Sequence, residues 1–139
     1  MSRVVSMRLQ DEQVSRLRRI ARSLGRTPSE TSALLVEEGL RRSEFAFIDF
    51  RNSPVGRQAY VQGSSLAVWE VVLIARSYDM HVEQTAEHLE WQETRVQAAL
   101  NYAAAFPDEI EAAIEDNASY DLTTLSRMLP QTVQWVVKG

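Results

Sequence analysis

The residues near the N-terminus that could do chemistry alternate: in Arg3-Val4-Val5-Ser6-Met7-Arg8-Leu9, Val5, Met7 and Leu9 share one face and Val4, Ser6 and Arg8 the other. A single strand of this kind has no ladder to join. Paired antiparallel with the same segment of a second chain, it would close its apolar face over following helices and project Ser6 and Arg8 outward on a two-stranded ribbon. A ribbon of that width fits the major groove of B-DNA, where arginine pairs with guanine.

Other chemistry finds less support. His81 and His88 are seven residues apart, with Glu87 beside the second. Two helical turns separate such residues by ~10 Å, too far for one ion, so exposed or capping histidines are expected and no metal site. Asp108, Glu109, Glu111, Glu115 and Asp116 are dense enough to suggest a nuclease centre. Close-set acids on a helix point in different directions, however, and read as a solvated face. The chain has no cysteine, which excludes disulfides and thiolate catalysis. With no glycine-rich phosphate loop and no nucleophile elbow, neither an enzyme nor a cofactor is expected.

Charge separates the two ends of the 139-residue chain. Up to Ser43 nine arginines face five acids, a net +4, whereas the remainder carries six basic and fourteen acidic residues, a net −8. A basic end on an acidic body points to a polyanion met by the N-terminal part alone, with affinity that falls as salt rises.

The elements that would position those arginines are legible. Asp11 opens a first helix whose Val14, Leu17, Ala21 and Leu24 lie on one face, ending at Gly25 as a C-cap. Thr27-Pro28-Ser29-Glu30 is a capping box, with Thr27 as N-cap, Pro28 at N1 and Glu30 reaching back. The second helix therefore begins near Pro28 and offers Ser32, Leu35, Val36, Gly39 and Leu40 for packing, Gly39 permitting a close backbone approach.

From about Arg3 to Arg42 the chain resembles the ribbon-helix-helix DNA-binding proteins, the class of the Arc and MetJ repressors, through Ser6-Met7-Arg8-Leu9, the Gly25-Arg26-Thr27 turn and Ser29-Glu30. The resemblance implies an intertwined dimer whose core holds Val5, Met7, Leu9, Leu17, Leu35, Val36 and Leu40. It implies base readers at Val4, Ser6 and Arg8, with Val4 limited to a thymine methyl. A phosphate clamp is implied at the N-terminus of the second helix around Thr27, Ser29 and Glu30, with Arg3 and Arg26 as further phosphate contacts.

A second unit begins near Phe45. Phe45-Ala46-Phe47-Ile48-Asp49-Phe50 has the composition of a short buried strand and Asn52-Ser53-Pro54-Val55-Gly56 turns the chain. Ala59-Tyr60-Val61-Gln62, a Gly63-Ser64-Ser65 turn and Leu66-Ala67-Val68 read as a small hairpin. Helices are expected from Trp69 to about Ser77, Val82 to Leu89, Glu93 to Phe106, and Pro107 to about Asn117. The fold class is thus mainly α with short β, divided as 1–43, 44–117 and a tail over 118–139.

Residues 45–117 resemble an uncharacterised domain family found in antitoxins of the VapB type. The resemblance is carried by Gly56-Arg57-Gln58-Ala59-Tyr60-Val61-Gln62-Gly63-Ser64-Ser65-Leu66-Ala67-Val68, by Val96 to Ala104, and by Pro107-Asp108-Glu109-Ile110. It implies a compact helix-turn-helix domain and, as partner, a PIN-like nuclease toxin. The would-be recognition helix from Glu93 to Phe106 carries Arg95 amid Glu90, Glu93, Asp108 and Glu109, a surface that repels phosphate. A structural or protein-binding role is expected there rather than a second DNA reader.

In the tail, Leu122, Leu125 and Leu129 form a helical stripe, and Gln131 to Val137 has strand composition. It packs on its own core, or it displays Leu122, Leu125, Leu129, Val133, Trp135 and Val137 to the toxin. No apolar run approaches the ~20 residues of a membrane span, and the N-terminus lacks the apolar core of a signal peptide, so a cytoplasmic protein is expected. The two resemblances jointly imply a dimeric, DNA-binding autorepressor that neutralises a nuclease toxin. Two alternatives stand beside it: a ribbon-helix-helix repressor whose second domain senses a ligand, and an interaction protein that never meets DNA.

Overall fold

The computed structural model describes residues 2–128, with side chains as far as residue 117. Within them six helices and two strands run in the order α1 (Asp11–Leu24), α2 (Pro28–Glu44), β1 (Ile48–Ser53), β2 (Gly56–Val61), α3 (Val68–Ser77), α4 (Val82–Leu89), α5 (Glu93–Ala105) and α6 (Pro107–Met128). The chain divides into two compact units, 1–41 and 42–139.

In the first unit the helix punctuation follows the sequence. The Gln13 Oε1 accepts from the Gln10 N–H at 2.9 Å, and Asp11 and Glu12 lie at the positive end of the helix dipole. Gly25 takes φ 66°, and its N–H and that of Arg26 satisfy the last carbonyls of α1. Thr27 Oγ1 accepts from the Glu30 N–H at 3.1 Å, so the side-chain cap on α2 is made. Among the described residues nothing lies within 4 Å of where a Cβ on Gly39 would stand, so the expected close approach is not made among them.

The segment 2–10 has no regular structure in the single chain. A strand is held by hydrogen bonds to a neighbour, and among the described residues no strand pairs with this segment.

The second unit departs from expectation at its hairpin. The two strands are Ile48–Ser53 and Gly56–Val61, paired antiparallel from Ile48 with Val61 to Ser53 with Gly56, and they turn at Pro54-Val55. The expected pairing of Ala59-Tyr60-Val61 with Leu66-Ala67-Val68 is reduced to one bridge between Tyr60 and Ala67 and one bond from the Val61 N–H to the Leu66 carbonyl. Competition from a helix cap explains the difference. Glu70 Oε1 accepts from the Ala67 N–H at 3.0 Å, committing Ala67 as the N-cap of α3 and Val68 as its first turn. Phe45 and Phe47 precede the strand instead of forming it, and Phe47 takes φ 61°.

The strands place Ile48, Phe50, Ala59 and Val61 on one face, against Val68, Val71 and Val72 of α3, Ala99 and Tyr102 of α5, and Ile110 of α6. Phe45 and Phe106 add edge-to-face and tilted ring contacts to Tyr102 at centroid distances of 5.4 and 4.8 Å. The turn before α4 holds Asp79 and Met80 at positive φ, and Glu90 at φ 58° ends that helix. Helix α6 runs past the end expected near Asn117 to Met128, and Leu122 and Leu125 lie on it. Leu129, Val133, Trp135 and Val137 lie outside the described residues.

Candidate nucleic-acid interface

The apolar residues assigned to a dimer core are largely uncovered in the single chain. Val5 is 82% exposed, Met7 63%, Val36 48% and Leu40 53%, while Leu17 and Leu35 are half-buried. Met7 and Leu9 from the N-terminal segment, Leu17 and Ile20 from α1, and Leu35 and Val36 from α2 line a shallow apolar groove of about 320 Å³.

The other face carries the polar candidates. Val4 is 94% exposed, and Arg3, Ser6 and Arg8 are exposed with it. Arg26, Thr27 and Ser29 are exposed around the start of α2. Pro28 has no N–H, so the amides available to an anion there are those of Ser29 and Glu30, and Thr27 Oγ1 already takes the second. Thr31, one turn further along, is wholly buried, and its Oγ1 has no hydrogen-bond partner.

Of the side chains that sequence reasoning set aside, His88 and Glu111 have structural partners. His88 Nδ1 is 2.7 Å from the Tyr78 hydroxyl, and the two rings meet edge to face at 5.5 Å; His81 is the exposed residue before α4. Among the described residues no three His, Asp or Glu side chains converge to hold a metal ion. Arg76 of α3 forms an ion pair with Glu111 of α6, which gives that acid a structural task.

Arg95 of α5 is engaged within the second unit. Its guanidinium lies over the Trp91 ring at 4.9 Å and donates to the Gln62 carbonyl, so the base of α5 is spent on bracing the 62–65 turn. Arg51 reaches the same turn from β1, donating to the Ser64 carbonyl at 2.7 Å and lying over Tyr60 at 5.0 Å. Sequence reasoning named Arg95 only as a base on its helix and did not single out Arg51, because a turn's carbonyls carry no signal in residue type.

Asp49 is the carboxylate whose titration stands out. Its partial burial pushes the carboxyl up, but the hydrogen bonds from the Phe50 N–H and the Arg51 side chain, with the charges of Arg42 and Arg51, outweigh that and hold it below the usual carboxylate range. No family model, curated protein or solved structure matches the chain. Among the described residues no helix is long and apolar enough to cross a membrane.

Proposed function

We propose that the protein is a dimeric DNA-binding repressor of the ribbon-helix-helix type and the antitoxin of a toxin-antitoxin pair. The observation that carries the first half is the uncovered apolar face of Val5, Met7, Leu9, Val36 and Leu40 beside an N-terminal segment that alternates apolar and polar residues but has no strand to pair with. A second copy supplies both missing things at once. Its own segment completes the ladder, and its apolar face covers the groove. Pairing then turns Val4, Ser6 and Arg8 of both chains outward on one ribbon, on an N-terminal part of net charge +4 up to residue 43.

The second half rests on the resemblance of residues 45–117 to antitoxin domains and on the acidic balance of that region. A nuclease that binds RNA presents a basic cleft, which acidic side chains complement.

Four measurements test the reading. Sedimentation of the full chain is expected to show a dimer, and retention on its own promoter DNA is expected to fall steeply with salt. Arg8→Ala is expected to weaken the specific site by about 1–3 kcal/mol per half-site while the dimer persists. An unchanged footprint would remove Arg8 as a reader. Co-purification of a nuclease encoded by the neighbouring gene tests the antitoxin role, and its failure alongside intact DNA binding would leave a repressor without a toxin.

A further inference from the structure

The described arginines of the second unit all have partners. Arg42 and Arg51 pair with Asp49, Arg57 donates to Asn52, Arg76 pairs with Glu111, and Arg95 lies over Trp91. Helix α1 of the first unit is different. Its Arg18, Arg19 and Arg22 are exposed, and among the described residues none of the three makes a hydrogen bond, an ion pair or a ring contact. Successive residues of a helix are turned by about 100°, so the three fall within one arc of about 100°. That arc lies on the far side of α1 from Gln13, Leu17 and Ile20, which line the apolar groove. The arrangement works against the helix. Arg18 and Arg22 stand four residues apart and repel, while the acids of α1, Asp11 and Glu12, are in its first turn. The helix dipole favours Arg22 in the last turn and offers nothing to Arg18 and Arg19 in the middle.

We propose that Arg18, Arg19 and Arg22 hold the phosphate backbone of duplex DNA without reading its sequence. The proposal rests on the DNA-binding reading above and adds to it a contact made by other residues than Val4, Ser6 and Arg8. A second copy covers the groove, whereas the far side of α1 stays open on both copies. From Arg18 to Arg22 the helix rises about 6 Å. Phosphates recur every ~1.7 Å of duplex axis with both strands counted, so each guanidinium has a phosphate of its own within reach. Its planar fork matches phosphate oxygens in paired, charge-assisted hydrogen bonds. Protein carboxylates are spaced more sparsely than this, which favours the nucleic acid over an acidic protein surface.

Fluorescence anisotropy of the full chain across a salt series tests the proposal, with two labelled duplexes: its own promoter and a shuffled duplex of the same length and composition. The triple variant R18Q/R19Q/R22Q is expected to weaken both duplexes by the same factor, at least about tenfold at physiological salt. Each lost phosphate contact removes about 0.9 from the slope of log affinity against log salt, so a dimer that loses several is expected to drop by about 3 or more. Preference for the promoter is expected to persist, in contrast to Arg8→Ala, and R18K/R19K/R22K is expected to keep the natural slope. An unchanged slope in the glutamine variant, with normal binding by the natural chain, would overturn the proposal and leave the repressor reading standing. A natural chain that binds neither duplex would overturn both. Tighter DNA binding by the glutamine variant would also overturn it and assign the row to an acidic protein surface. Glutamine is a good helix former, and circular dichroism checks that α1 persists. If the triple variant does not fold, the single variants decide, each expected to lower the slope by roughly 1–2.

Discussion

The guanidinium of Arg95 occupies the space over Gly63, with Nη2 2.7 Å from where a Cβ would stand, while it donates to the neighbouring Gln62 carbonyl. Gly63 itself takes φ 77°, a conformation that costs any other residue. The turn between β2 and α3 is thus specified twice, by backbone and by side chain. Gly63→Ala is expected to destabilise the second unit by about 1–3 kcal/mol, measured by urea unfolding. In an Arg95→Ala background the same substitution is expected to cost less, because the contact is gone and only the backbone strain remains. Equal costs in the two backgrounds would show that the Arg95 contact adds nothing.

Tyr102 is the largest of the wholly buried side chains and holds Glu109 while touching Phe45, Phe50 and Phe106. Tyr102→Phe keeps the rings and removes the hydroxyl, with an expected loss of about 1–3 kcal/mol because the bond is to a carboxylate. Tyr102→Ala is expected to cost about 3–5 kcal/mol and to lower the thermal midpoint of the unit sharply. Differential scanning calorimetry separates the two.

Asp49 supplies a pH dependence of known sign. Its folded pKa lies below the ordinary 3.8, so the ionised form is favoured by folding; the stability this contributes is present above the unfolded value and is lost as pH falls through the folded one. Asp49→Asn is expected to lower stability at pH 7 and to flatten the acid limb of the stability curve below about pH 4. An acid limb identical to that of the natural chain would assign it to other carboxylates.

The uncovered groove of the first unit predicts a further outcome. Val36→Glu places a charge among Met7, Leu17, Ile20 and Leu35, and the dimer proposed above is expected to dissociate into monomers that no longer bind DNA. Ala33→Glu, exposed on the same helix but outside the groove, is expected to leave the dimer intact. Sedimentation velocity at micromolar concentration reads both.

Local punctuation was readable from residue order alone. Gly25 as the αL stop, Thr27 as the cap before Pro28, and α4 over Val82–Leu89 needed only nearest neighbours along the chain, because caps and turns are satisfied within a few residues. The alternation of Val5, Met7 and Leu9, and the basic end against the acidic body, were equally plain. What the tertiary structure decided was where local choices compete. Leu66-Ala67-Val68 has strand composition, yet the Glu70 cap and the packing of Val68 and Val71 into the core draw it into a helix start, while Phe45 leaves the strand to meet Tyr102. Likewise nothing along the chain tied Arg51 or Arg95 to the carbonyls of one turn, since contacts 13 and 33 residues apart in sequence depend on how the chain returns on itself.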